Sequence, residues 1–171
     1  MMRLVEDIIR LSQLDEGAAD MQPETIDLYS KAREVVSSLT AAAEQADVDL
    51  TLEGSSSPLR CIPNLISGIL TNLCDNAIKY NRPGGSVTVR VGQEKGCVFL
   101  SVADTGIGIP AEHQNRIFER FYRVDKSHSK EVGGTGLGLS IVKHATQILG
   151  GRIDVKSSPG QGTTITIRFS E

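Results

Sequence analysis

The chain has 171 residues, a formal net charge of −3, 39% hydrophobic and 23% charged residues, which suits one ordinary soluble core and argues against a nucleic-acid partner. Its three cysteines and three histidines lack C-x-x-C or paired ligand spacing, which fits free thiols in a reducing compartment better than a disulfide framework or a zinc site. No apolar run approaches the roughly 18 residues of a membrane helix, so any membrane attachment is expected outside this sequence.

Taken in order, Leu4, Ile8 and Leu11 recur at helical spacing in a segment stopped by Gly17. A lone helix this short is marginal in water, so it is expected to be the end of a bundle or coiled-coil helix. Ala18 to Glu24 reads as a linker, and Ile26-Asp27-Leu28 as a short strand entering a helix that runs to Ala46. Val48 to Leu52 alternates as a strand, Ser55 to Pro58 is a turn, and Ile62 to Tyr80 is helical until Asn81-Arg82-Pro83-Gly84-Gly85 stops it. Val87–Val91 and Val98–Val102 form a hairpin through Glu94-Lys95-Gly96. After Asp104-Thr105-Gly106-Ile107-Gly108-Ile109-Pro110 comes a short helix, Ala111 to Phe118, with Pro110 near its start. Arg123 to Gly134 is polar and aperiodic, a loop. Leu137 to Leu149 is a helix ended by Gly150-Gly151, and two strands close the chain, Ile153–Val155 and Thr163–Phe169, around Pro159-Gly160. The class is α+β, a sheet with helices on one face.

The helix from Ile62 to Tyr80 is the centre of the chemistry. Asn72, Asn76 and Lys79 stand at i, i+4 and i+7, so two amides and an ammonium share one stripe beside the apolar stripe of Ile66, Leu70, Leu73 and Ala77. Asn is a poor helix former, and two on one face call for a reason. Two glycine-rich stretches supply one: Asp104-x-Gly106-x-Gly108 follows a strand, and Gly133-Gly134-Thr135-Gly136-Leu137-Gly138-Leu139 precedes a helix. Neither is a Walker A loop or a dinucleotide fingerprint. Yet bare backbone N–H groups at a helix entrance suit an anion. Glycines can also simply serve turns, and Asp104 can simply stabilise its own turn. A carboxylate at a strand exit also suits an exocyclic amine such as that of adenine, and would repel the carbonyl of guanine. Divalent metal, if any, is Mg²⁺ on an amide oxygen such as that of Asn76, with phosphates and water completing the shell. His113, His128 and His144 read as surface residues, and Ser140 lies in no nucleophile elbow. The chain looks built to hold a nucleotide rather than attack it.

In order, Asn72-Leu-Cys-Asp-Asn76-Ala-Ile-Lys79-Tyr80, Asp104-Thr-Gly106-Ile-Gly108, Phe118-Glu-Arg-Phe121-Tyr-Arg123, Gly134-Thr-Gly136-Leu-Gly138-Leu and Gly162-Thr163 resemble the ATP-binding boxes of bacterial sensor histidine kinases, closest to the phosphate-regulon type. The resemblance covers roughly residues 26–170. It implies a two-layer α/β sandwich of the Bergerat type, a mixed sheet backed by helices, with residues 26–171 as the catalytic ATP-binding domain, 18–25 as linker and 1–17 left over from the dimerisation helix. It implies Asn76 as the Mg²⁺ ligand, Asn72 on the phosphate side, and Lys79 and Tyr80 at the phosphate and sugar end, with Asn72, Asn76 and Lys79 as the catalytic group. Asp104 would read the adenine amine, and Gly106, Gly108 and Ile109 would let the base approach. Gly134, Thr135, Gly136, Leu137, Gly138 and Leu139 would wrap the phosphates beneath a flexible lid anchored by Phe118 and Phe121, with Arg123 approaching the phosphates and Thr163 reaching adenine. The implied activity is transfer of the γ-phosphate of Mg-ATP to a histidine of the dimerisation domain, for relay to a response regulator. The implied setting is the cytoplasmic side of a bacterial membrane sensor that dimerises.

No histidine here has the acceptor context, since His113 precedes Gln114, His128 precedes Ser129 and His144 precedes Ala145. The chain is therefore expected to lack its phosphoacceptor. The alternatives are an ATPase clamp of the related gyrase, mismatch-repair and chaperone type, or an ATP-sensing module without catalysis. The clamps carry a glutamate where this chain has Asn72, which favours phosphoryl transfer over hydrolysis.

Overall fold

The computed structural model describes residues 5, 7–9, 11–12, 22–124 and 134–170. The elements are β1 (Glu24–Asp27), α1 (Leu28–Gln45), β2 (Val48–Gly54), β3 (Pro58–Cys61), α2 (Pro63–Lys79), β4 (Gly85–Glu94), β5 (Cys97–Asp104), α3 (Ala111–Gln114), α4 (Gly138–Ile148), β6 (Arg152–Ser158) and β7 (Gly162–Ser170). Five strands form one sheet in the order β2-β4-β5-β7-β6, with β2 parallel to β4 and the other pairs antiparallel. β1 and β3 pair separately. This is the expected α+β mixed sheet with helices against one face.

Period-two alternation builds the core face. Leu52, Val89, Val102, Ile165 and Val155 stand side by side across all five strands. Val91, Leu100, Ile167 and Ile153 form the adjoining row. Because successive side chains alternate, Asp104 follows Val98, Leu100 and Val102 onto that same face, opposite Val87. The helices cover it: α2 lies between α1 and α4 and buries Leu65, Ile66, Ile69, Leu70, Leu73, Cys74, Ala77 and Ile78. The other face of the sheet carries polar pairs such as Ser101 Oγ with Thr166 Oγ1 at 3.1 Å and Arg90 with Glu53 at 2.7 Å.

The hairpin turn is Lys95-Gly96, both at positive φ (53° and 78°), the form that matches strand twist. Two details differ from the sequence expectation. Pro58–Cys61 is a strand rather than the end of a turn; its proline opens a strand in a two-stranded sheet, where Pro is tolerated, and its partner lies 30 and more residues away. The helix expected to reach Phe118 is regular only over Ala111–Gln114 and continues as successive tight turns, with Arg116 N to His113 O, Glu119 N to Arg116 O and Tyr122 N to Glu119 O. Only Ile117 there is deeply buried, so no apolar stripe holds a longer helix. Of the N-terminal segment, the described residues are helical, and Leu11 joins the core at 7% exposure. The expected linker lies largely outside the described residues, as does most of the loop before Gly134.

Asp27 shows how α1 begins. Its carboxylate accepts from Ser30 Oγ (2.6 Å) and Ser30 N (3.2 Å), and from Ser57 N (2.7 Å) in the turn before β3. The Ser30 hydroxyl, then the Ser57 amide, pull its pKa from 3.8 to about 2. A depressed carboxylate contributes stability above its ordinary value and loses it as pH falls toward the lowered one. Asp27→Ala is expected to cost about 1 kcal/mol at neutral pH, and urea titrations between pH 3.8 and about 2 should show a shallower acid loss than in the parent chain.

Candidate nucleotide-binding site

Asp104 ends the core face of β5, and its surroundings close on one atom. Oδ1 accepts Gly106 N at 2.8 Å and Thr163 N at 3.2 Å. Oδ2 has no protein donor among the described residues. Burial raises the carboxyl pKa, while the Gly106 and Thr163 amides oppose that rise. The glycines let three segments meet here. A Cβ at Gly106 would lie 2.2 Å from Tyr80 O, and one at Gly108 2.0 Å from Ser158 O. Ile107 N donates to Tyr80 O (3.1 Å), and Ile107 O accepts Gly160 N (2.8 Å). The loop after β5 is thus sewn to the end of α2 on one side and to the β6–β7 turn on the other.

The amide stripe of α2 faces the second glycine stretch. A Cβ at Gly138 would meet Asn72 Oδ1 at 2.9 Å, with Asn76 Nδ2 3.9 Å away; one at Gly134 would meet Lys79 Nζ at 2.8 Å, with Arg123 Nη2 at 3.6 Å and Tyr80 Oη at 3.7 Å. Any side chain at 138 would press on the Asn72 amide. Asn72 Nδ2 donates to Gly68 O (2.8 Å), which turns its oxygen toward that glycine. Lys79 also lies 5.9 Å from the Tyr80 ring centroid, and Tyr80 is 39% exposed. The structure therefore gathers Asn72, Asn76, Lys79, Tyr80, Arg123, Gly134 and Gly138 on one side, and Asp104, Gly106, Gly108, Ile109 and Thr163 on the other.

Several of the expected contacts take a different form. Phe121 meets the glycine loop through its backbone: its N donates to Gly136 O (2.9 Å), while its side chain is 62% exposed. Its φ of 63° is costly for a bulky residue, and Gly136, itself at φ 72°, has no Cβ to collide with it. Phe118 is half-buried beside these turns. Arg123 Nη1 donates to Gly134 O at 2.8 Å. Leu137 is fully buried, so its side chain belongs to the core, with Leu139 packed against it. The Thr135 hydroxyl donates to Asp7 Oδ2 (2.8 Å) and accepts Leu137 N (3.2 Å). Asp7, remote in sequence, carried no signal of this role.

Two further residues escaped the sequence reading. Ser157 Oγ accepts Ile109 N (2.8 Å), donates to Gly162 O (3.0 Å), and lies 2.8 Å from Thr163 Oγ1. Gln114 Nε2 donates to Ile109 O (2.9 Å) and Ser157 O (3.0 Å). A serine near the end of a strand and a glutamine at the end of a short helix look like solvated surface until their partners are known. His113 bonds to Tyr122 Oη at 2.5 Å and is thereby structural. Cys74, buried on the core side of α2, has its thiol pushed up to about 12 by burial and so stays protonated. Among the described residues no cluster of three or more His, Cys, Asp or Glu could hold a metal ion.

A family model described as histidine kinase-, DNA gyrase B-, and HSP90-like ATPase matches residues 62–171. The sensor histidine kinase YkoH of Bacillus subtilis (strain 168) is 41% identical over 171 residues, covering all of this chain and 37% of that protein. The mycobacterial sensor histidine kinase MprB superposes with a TM-score of 0.75 at 28% identity, over 86% of this chain and 96% of the other. ShkA, solved full-length in complex with AMPPNP, superposes with a TM-score of 0.84 at 29% identity, over 98% of this chain and 35% of the other. The chain thus spans well under half the length of YkoH. Because the matched region contains the amide-bearing helix, both glycine stretches and the strand that delivers Asp104, the chain belongs to the histidine kinase-, DNA gyrase B-, and HSP90-like ATPase family.

Proposed function

We propose that this chain is the ATP-binding catalytic domain of a two-component sensor histidine kinase, and that it delivers the γ-phosphate of Mg-ATP to a histidine on a dimerisation domain, for relay to a response regulator. One observation carries the reading: the glycine loop lies against the α2 stripe, with position 138 against Asn72 and position 134 against Lys79. That leaves two amides, an ammonium and bare backbone beside a helix entrance, which is a cradle for a triphosphate. Asp104 at the far end supplies an acceptor for the amine of adenine. The remaining assignments follow as proposals: residues 26–171 as the catalytic domain, residues 1–17 as the end of a dimerisation helix, a homodimeric parent protein, and a cytoplasmic position beneath a membrane anchor elsewhere in that protein. Among the described residues no helix is long and apolar enough to cross a membrane.

Mg²⁺ fits the donor set at Asn76, because this hard cation takes one or two oxygens from protein and the rest from phosphate and water. When bound, it would neutralise charge on the triphosphate. The chain's own groups do the rest. Lys79 and the backbone N–H groups near Gly136 and Gly138 hold the phosphates, Arg123 and Phe121 hold the loop at Gly134 and Gly136, and Asp104 orients the base. Such positioning and charge stabilisation account for most of phosphoryl-transfer catalysis. Asn72 has no carboxylate with which to activate water, so transfer to a protein acceptor is favoured over hydrolysis.

Asn76→Ala is expected to remove the Mg²⁺-dependent part of ATP affinity, at least tenfold, with circular dichroism unchanged; equal calorimetric affinity with and without Mg²⁺ in the parent chain would contradict the role. Asp104→Asn keeps an oxygen for the Gly106 and Thr163 amides and should fold, yet weaken ATP binding. Since burial raises the Asp104 pKa, protonation removes the acceptor, and ATP affinity in the parent chain should decline at a higher pH than an ordinary carboxylate would dictate. With labelled ATP and a separately supplied dimerisation bundle bearing its histidine, label is expected on the bundle; free phosphate alone would point to an ATPase clamp instead.

A further inference from the structure

Ser157 is the meeting point of three segments around Asp104. Its Oγ accepts from Ile109 N at 2.8 Å, donates to Gly162 O at 3.0 Å and lies 2.8 Å from Thr163 Oγ1. A serine hydroxyl has one proton and two lone pairs. With its proton on Gly162 O and one lone pair taken by Ile109 N, the contact with Thr163 is satisfied only if Thr163 is the donor. The opposite assignment would strip Gly162 O of this partner and idle a lone pair. The proton of Thr163 is then committed to Ser157, and Thr163 Oγ1 can offer a ligand only lone pairs.

The same residue is tied to Asp104, since Thr163 N donates to Asp104 Oδ1 at 3.2 Å, and Thr163 shares the core face of β7 with Ile165, Ile167 and Phe169. We propose that Ser157 is a positioning residue that sets base specificity: by holding the Thr163 proton it makes Thr163 Oγ1 a second acceptor beside Asp104, so the pocket favours a purine bearing an amine over one bearing a keto oxygen. This rests on the adenine-nucleotide reading above. Two acceptors can share the two N–H bonds of an exocyclic amine. A keto oxygen in the same place meets lone pairs only, and a buried acceptor without a donor is costly. Gln114 gives Ser157 a partner in this task without sharing it. Its amide clamps Ile109 O and Ser157 O, so the loop remains stapled to β6 when the Ser157 hydroxyl is removed.

The test measures calorimetric affinities of the 171-residue chain for Mg-ATP and for inosine triphosphate, which has a keto oxygen in place of the amine. In Ser157→Ala the Thr163 proton is released and can turn toward a keto oxygen. Affinity for inosine triphosphate should rise, and the preference for ATP should narrow by about tenfold, the worth of one buried hydrogen bond. Ser157→Thr keeps the hydroxyl and should keep the preference. Thr163→Val should narrow it from the other side, by weakening ATP, and serves if Ser157→Ala does not fold. Gln114→Ala should weaken both nucleotides alike, as a merely structural support does. A parent chain that prefers ATP, with the same ratio in Ser157→Ala and Thr163→Val, overturns the role of Ser157 and leaves the nucleotide site standing. A parent chain that binds neither nucleotide overturns both.

Discussion

A single carboxylate oxygen holds this site together. Asp104 Oδ1 takes the amides of Gly106 and Thr163, and so joins the exit of β5, the glycine loop after it and the start of β7. The carboxylate is at the end of an apolar row because β5 alternates without interruption from Val98 to Val102. Burial there makes the charged form costly, and the two amides offset part of that cost. The strand that builds the core thus also carries the Asp104 carboxylate, and the glycines around it are where other backbone comes too close for a side chain.

The other side of the site is built on a helix rather than a strand. The α2 helix buries one face between α1 and α4, and the adjoining stripe of Asn72, Asn76 and Lys79 is left to line the site. The glycine loop that covers it is held at successive residues: Gly134 O by Arg123, the Thr135 hydroxyl by Asp7, and Gly136 O by Phe121 N. Two of those tethers come from the turns after α3, and one from the N-terminal helix. Leu11 is buried one turn beyond Asp7, whereas Val5, Ile8 and Ile9 are about half exposed. Asp7 and Leu11 are four residues apart and share a face, so the helix presents one edge to the glycine loop and keeps a broad apolar side outward.

What could be read before the structure follows from interactions that are local or periodic. The α1 and α2 helices, the β4–β5 hairpin with Lys95-Gly96 at its tip, and the α+β class all rest on spacing within a few residues. The Asn72–Asn76–Lys79 stripe is likewise a matter of helical pitch, and the ordered motifs from Asn72 to Thr163 were enough to indicate the family. By contrast, β3 needs β1 as its partner, and Ala111 starts a helix that has too little apolar surface to continue. Phe121 looked like a packing anchor, yet its backbone makes the contact and its ring is exposed. No local pattern distinguishes Ser157 or Gln114 from ordinary surface polar residues.

The sequence by itself determined the alternation that lifts Asp104 to the core face, the helical stripe of amides and the positions of the two glycine stretches, because pitch and pleat are properties of neighbouring residues; which backbone crowds those glycines was settled by tertiary packing. Only the tertiary structure decided which hydroxyl meets which amide: Ser157 between Ile109, Gly162 and Thr163, and Asp7 on Thr135 across 128 positions. Those contacts depend on how sheet order and helix packing bring distant segments within 3 Å or so, the range at which a hydrogen bond forms.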